Sequence, residues 1–204
     1  MPDFNLPKQA SSTNTNKSDL GELLNLIRTL ISGPPKMEEY RGSAFLSING
    51  IKGESKYDKH VGEIEVLDFH WSVAQPRAAS ASGGGATRTE RAHFGDLSIY
   101  KAVDKASPAL AHACASGTHL SNAVLQLCRA GGDTQLYMKY TLSDVVITAV
   151  RTGGRGYGEK VPLEEVCLSY SQIEWEYFPT EVTSGQVEGR VVKNWNLKTN
   201  RENG

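Results

Sequence analysis

From Ala44 to Leu197 apolar and polar residues alternate in short runs with a period of two, the pattern of strands that bury one face. AFLSING at 44–50 alternates and ends on Asn-Gly. EIEVLDFHWSV at 63–73 sets Leu67, Phe69, Trp71 and Val73 on one face and Asp68, His70 and Ser72 on the other. Ile64 and Val66 have the opposite parity, which predicts a bulge near residues 66–67. Further strands are predicted at 93–103, 120–129, 134–150, 161–178 and 186–197. The run at 161–178 carries the longest alternation: Cys167, Ser169, Ser171, Ile173, Trp175 and Tyr177. Ala130-Gly131-Gly132-Asp133 reads as a hairpin loop between two of these strands.

One helix interrupts the strands. Ser107 is the expected N-cap, Pro108 sits at the first helical position and Gly117 just past the end. Leu110, Ala113 and Cys114 form its buried stripe. About ten residues cannot hold a helix alone, so it must be pinned to the β body. The expected fold is mainly β, an antiparallel barrel or sandwich with one short attached α-helix.

A second helix is predicted near the start. Residues 1–17 are polar and read as disordered. Asp19 and Glu22 then form a capping-box pattern, and Leu20, Leu23, Leu24, Ile27, Leu30 and Ile31 share one stripe before Gly33-Pro34-Pro35. An amphipathic helix over 19–31 follows, packed on its own domain or a neighbouring subunit, or docking another protein. Two Gly-rich loops stand out at 75–92 and 152–160, the first carrying Arg77, Arg88 and Arg91.

Composition narrows the function. The chain has 204 residues, with Lys+Arg 22 against Asp+Glu 23, and this balance argues against a dedicated nucleic-acid binder. No apolar run approaches the ~18 residues that would span a bilayer, and no signal-peptide pattern is visible, so neither membrane insertion nor a cleaved leader is expected. Three cysteines, Cys114, Cys128 and Cys167, are too few and too scattered for a disulfide framework or a cysteine zinc site. The five histidines, at 60, 70, 93, 112 and 119, form no HxxxH or HExxH, although His70 shares a strand face with Asp68. GGRGYGEK at 153–160 is no phosphate loop, because Glu159 splits the Gly-Lys pair and Val161-Pro162 opens a strand. The acid pairs Glu63/Glu65 and Glu174/Glu176 read as solvated sheet faces, and Arg190, Lys193, Lys198 and Arg201 as a solvated basic end. No catalytic residue, cofactor-binding residue or metal ligand is expected.

Several segments, in order, resemble the haemolysin-coregulated protein (Hcp) family of bacterial type VI secretion. They are AFLSINGIKGES at 44–55, EIEVLDFHWSVAQP at 63–76, FGDLSIYKAVDKASPALAHACASGTHL at 94–120, AVLQLCRAGG at 123–132 with YMKYTLSDVVI beyond, VPLEEVCLSYSQIEWEYFP at 161–179 and VVKNWNLKTN at 191–200. The resemblance implies a barrel with an attached helix, a homohexameric ring, and rings stacked into a tube inside a contractile sheath, tipped by a spike. It implies no enzyme activity and no cofactor. Partners would be other copies of the chain, sheath, spike and effector proteins carried in the lumen, with assembly in the cytoplasm and export without a cleavable signal.

By position, the 75–91 loop matches the extended loop with which the family reaches adjacent subunits and rings. Gln75, Pro76, Arg77, Gly83, Gly84, Gly85, Arg88 and Arg91 are therefore the candidate ring-contact residues. The family core begins near the 44–55 strand, so residues 1–36 stand as an N-terminal extension before a 37–204 Hcp-like domain, or Met37 is the true start. Two other functions remain from the residues alone: a small-molecule-binding β-barrel, and a Cys/His-dependent hydrolase built on Cys114 and His119. A barrel interior filled by Leu67, Phe69, Trp71 and Trp175 would oppose the first of these.

Overall fold

The computed structural model describes residues 42–76, 91–129, 135–154, 161–179 and 189–202. The expectations for the 1–36 extension and its 19–31 helix, for the 130–133 loop, and for Arg77, Gly83, Gly84, Gly85 and Arg88 lie outside these residues.

The strands are β1 (Gly42–Ile48), β2 (Ile64–Val66), β3 (Asp68–His70), β4 (Val73–Ala74), β5 (His93–Phe94), β6 (Leu97–Ala102), β7 (His119–Arg129), β8 (Gln135–Gly153), β9 (Leu163–Ser169), β10 (Gln172–Tyr177) and β11 (Val191–Asn196). Helix α1 (Ser107–Ser116) lies between β6 and β7. All strand pairs are antiparallel, in the order β2-β1-β7-β8-β9-β6-β3, with β10 and then β11 branching from β8. β2 and β3, at the two ends of this path, are joined by the single residue Leu67. The path therefore closes on itself, and the protein is mainly antiparallel β with one short helix among the described residues.

At Leu67 the chain changes partner. Ile64 and Val66 pair with Leu46 and Ala44 of β1, whereas Leu67 N–H donates to Tyr100 O at 2.8 Å and Phe69 stands opposite Ile99 of β6. The inward side thus passes from even to odd residues, where the sequence predicts a bulge. The expected common face of Leu67, Phe69, Trp71 and Val73 needs correction. Leu67 is 60% and Val73 47% exposed, while Phe69 and Trp71 are half-buried. Leu67 sits on the turn between partners and has no barrel wall in front of it.

The interior is filled with aliphatic side chains. Cross-strand neighbours Leu46, Ile64 and Leu125 meet at one end, and Leu97, Leu168 and Ile147 at the other, all almost wholly buried. Trp71 packs edge-on against Trp175 at 5.5 Å between ring centroids and tilted against Tyr140 at 6.0 Å.

β8 serves two arms of the same sheet. Its first half pairs with β7 and β10, its second with β9. The change occurs around Asp144, whose φ of 54° lies in the left-handed region that Asp tolerates better than most residues. The predicted 161–178 strand breaks at the same corner, into β9 and β10, because each pairs with a different half of β8. Ser171 marks the break: its N–H donates to Ser143 O at 3.0 Å and its hydroxyl to Asp144 Oδ2 at 2.7 Å.

Helix α1 packs on β8. Its start differs from the prediction. Ala106 occupies the N-cap without a side-chain cap, and Ser107 is the first helical residue. Asp104 Oδ1 accepts the N–H of Ala106 at 2.9 Å, while Ser107 Oγ accepts Asp104 N–H at 3.0 Å and donates to Glu164 at 2.6 Å. The stop is as read: Gly117 has φ 61° and Thr118 N–H closes on Ala113 O at 3.0 Å. Leu110 and Ala113 are buried, whereas Cys114 is only half-buried.

Candidate functional site

The root of the Gly-rich loop is well defined. β4 and β5 form a separate two-stranded ribbon with Val73 opposite Phe94 and Ala74 opposite His93, so Gln75 and Pro76 leave one strand where Arg91 approaches the other. All three are on the described surface, and Arg91 is exposed. The ribbon is tied to the barrel by Gly95, whose N–H donates to Ser72 O at 2.9 Å. A Cβ at Gly95 would lie 2.7 Å from Ser72 Oγ, so a larger residue there would require the serine hydroxyl to turn away. Tyr170 completes the tie, accepting Trp71 Nε1–H at 2.6 Å and donating to Gly95 O at 3.1 Å. Burial pushes the Tyr170 phenol up to about 12, so it stays a donor throughout the physiological range.

Two clefts border open surface. One, of about 270 Å³, lies between the loop root and the C-terminal strand, lined by Arg91, His93, Phe94, Trp195, Leu197 and Asn200. Among the described residues no carboxylate lines it, and the buried Trp195 indole N–H has no acceptor. The other, of about 540 Å³, lies at the seam where β2 gives way to β3. Exposed Tyr57, Leu67 and Val161 line it with Glu54, Glu65 and Asp104. Glu54 accepts Lys105 N–H and Asp104 binds Lys101, but Glu65 is exposed and makes no hydrogen bond or ion pair among the described residues.

Nucleophilic chemistry finds little support. No contact joins Cys114 to His119; instead His119 Nδ1 is 2.8 Å from Asp144. The structure does build a Cys-His-Glu chain elsewhere: Cys128 Sγ lies 3.6 Å from His60 Nε2, and His60 Nδ1 lies 2.8 Å from Glu63 Oε2. That order copies a catalytic triad, but Cys128 is fully buried and its thiol is pushed up by burial. His60 is stacked flat on Phe45 at 4.0 Å, away from water. The chain is a packed satellite core outside the barrel wall.

Other charged groups were read too simply. Glu176 is not solvated but 2% exposed, held between Lys139 and Arg190, whose Nη1 is 2.9 Å from Oε2. Lys198 of the basic end binds Asp144 at 2.6 Å and Lys193 binds Glu202 at 3.1 Å. Lys198, Ser171 and His119 together hold the Asp144 carboxyl well below the usual range. Asp68 and His70 are both exposed, as the alternation implies. Glu65 is exposed, in keeping with its reading as part of a solvated face. Sequence reading passed over Trp195, whose only signal was its position in the last strand.

The match to known proteins is extensive. A family model described as "Type VI secretion system effector, Hcp" matches residues 45–177. The chain is 37% identical over 157 residues to Protein hcp1 of Pseudomonas aeruginosa, an alignment covering 76% of this chain and 95% of that protein. A solved type six secretion system protein superposes with TM-score 0.74 at 28% identity, covering 79% of this chain and 99% of the other. Hcp1 from Salmonella typhimurium gives TM-score 0.64 at 34% identity, covering 80% and 99%.

Proposed function

Because this chain belongs to the Hcp family of type VI secretion proteins, we propose that it is the tube subunit of such a system. Copies join into six-membered rings, the rings stack into a tube within a contractile sheath behind a spike, and the tube is expelled with effector proteins in its lumen. The subunit acts by assembly rather than catalysis. It is built in the cytoplasm and leaves without a cleavable signal. Residues 1–36 are an extension on a 37–204 domain, and the 75–91 loop reaches adjacent subunits and rings.

The observation that carries this reading is a closed, fully packed barrel that leaves two unlike surfaces open, together with family membership across it. A closed ring needs each copy to present two different complementary patches. The ligand-binding alternative loses support from an interior filled by Leu46, Leu125, Ile99, Leu142 and Leu168. Electron microscopy and native mass spectrometry of the purified full chain test the proposal. Annular particles at six times the chain mass are expected; isolated monomers at every concentration would overturn it.

A further inference from the structure

The β4–β5 ribbon stands apart from the rest of the sheet. Among the described residues its two strands pair with each other and with no other strand. Val73, Ala74 and His93 are exposed, and only Phe94 is half-buried. Toward the C-terminal strand lies the cleft of about 270 Å³, with Arg91, His93 and Phe94 on the ribbon's wall and Trp195, Leu197 and Asn200 on the body's. Neither ladder hydrogen bonds nor much apolar burial therefore fix the ribbon's direction, and a two-stranded hairpin is marginal on its own.

One side chain reaches both of the ribbon's chains. The Gly95 N–H bond to Ser72 O is the rung next to the Val73–Phe94 pair and closes the ribbon at its base. Tyr170 arrives at this base from the corner between β9 and β10. Its hydroxyl donates to Gly95 O at 3.1 Å, on the chain returning from the ribbon. The same hydroxyl accepts Trp71 Nε1–H at 2.6 Å, on the chain entering it. Trp71 is itself packed on the barrel against Trp175 and Tyr140. Tyr170 is buried, so the bonds it makes are shielded from competing water.

We infer that the ribbon is an arm hinged at Trp71–Ser72 and Gly95, and that the Tyr170 hydroxyl is the latch that fixes the arm's angle to the barrel. Tyr170 is a positioning residue in this device. Tilting the arm breaks both of its bonds together, because one oxygen serves both chains. Neutral hydrogen bonds bring a modest net gain, so the latch holds one angle at rest without locking it. A partner that binds the arm better at another angle shifts the equilibrium by the difference between its two affinities. The device deepens the ring proposal, on which its purpose rests: the arm carries the root of the 75–91 loop, so its angle decides where that loop reaches.

The test is Tyr170→Phe in the full chain, which keeps the aromatic packing and removes only the hydroxyl. A fluorophore on Ala74→Cys reports the arm, and one on Ala111→Cys, exposed on α1, reports the body, each in a Cys114→Ala background. The two remaining cysteines are buried. Time-resolved anisotropy reads local motion, and thermal melting checks that each variant folds. The amplitude of fast motion at 74 is expected to rise at least twofold in Tyr170→Phe, with that at 111 unchanged. Ser171→Ala controls for general loosening, since it removes the neighbouring hydroxyl that bonds Asp144 and leaves the neck alone; it should leave the probe at 74 as it was. Equal motion at 74 in the parent and Tyr170→Phe, or an equal rise with Ser171→Ala, would overturn the latch. A probe at 74 that already moves freely in the parent overturns it without any variant. The measurement does not depend on association, so a parent chain that stays monomeric overturns the ring reading and not the latch.

Discussion

Lys101 and Glu164 face each other across β6 and β9 at 2.8 Å, each with 1% of its side chain exposed. Lys101 Nζ also donates to Asp104 Oδ1 at 2.7 Å, to Ala102 O at 2.7 Å and to Ser107 Oγ at 3.3 Å. One buried ammonium thereby joins the end of the barrel to the first turn of α1, which explains how so short a helix is held.

Removing one member of this group should cost far more than removing both. Lys101→Met leaves Glu164 buried with only Ser107 and Thr152 as donors, and about 3–5 kcal/mol of stability should be lost. A Lys101→Met/Glu164→Leu double variant should recover much of that loss, since paired apolar replacement spares the desolvation of both charges. Urea unfolding at fixed protein concentration measures both. Equal losses in the single and double variants would contradict the account.

Asp144 gives an acid-sensitive corner. Its folded pKa is depressed by Lys198, then Ser171, then His119. A depressed carboxyl contributes stability that is fully present above its unfolded value of about 3.9 and is lost as pH falls through the folded value. Asp144→Asn keeps a residue that accepts φ 54° but removes the charge. The parent should melt higher than Asp144→Asn near neutrality, and the gap should shrink as pH falls below about 4. A gap that is the same at pH 3 and pH 7 would show that the carboxylate charge is not what holds β8, Ser171 and Lys198 together.

Gly53 is required by close backbone approach rather than by dihedral freedom. A Cβ there would lie 2.2 Å from Glu63 O and 2.6 Å from Ile64 Cα, both main-chain atoms unable to swing aside. Gly53 N–H donates to Gly62 O at 2.8 Å, so the 51–63 excursion is folded tightly onto β2. Gly53→Ala should cost about 1–3 kcal/mol and lower the melting temperature by roughly 2–4 °C per kcal/mol. Gly50→Ala separates the two causes, since its Cβ meets nothing within 4 Å and only its φ of 85° is strained.

The strands were legible because period-two alternation survives wherever one face is buried: β1 and β7 fall close to their predicted spans, while the predicted 93–103 strand breaks into β5 and β6. The helix stop was legible because Gly117 alone fits a left-handed cap. Three things were hidden. Whether Leu67 faces in or out depends on a change of partner, which involves residues far away in sequence. The N-cap of α1 falls on Ala106 rather than Ser107, whose hydroxyl is claimed by Glu164, 57 positions on. Glu176 looked like half of a solvated pair until Lys139 and Arg190 closed over it. At the candidate site only Gln75, Pro76 and Arg91 of the predicted loop fall among the described residues, and the buried Trp195 N–H, without an acceptor among those residues, exists only in three dimensions.

The cysteines separate by environment, and their reactivity should follow. Cys114 is half-buried on α1, while Cys167 and Cys128 are buried. Burial pushes the Cys128 thiol up, which lowers the thiolate fraction that attacks, and His60 and Phe45 block the approach. Cys167 is enclosed by Ser98 Oγ at 3.3 Å and Arg151 Nη1 at 3.4 Å. A disulfide reagent at mildly alkaline pH should therefore label Cys114 first, with Cys128 last and only after unfolding. Cys114→Ala should remove the fast phase and leave the slow one unchanged. Rapid labelling of Cys128 in the folded chain would mean that the His60–Glu63 pair activates an accessible thiol, and would reopen the catalytic reading that its burial now closes.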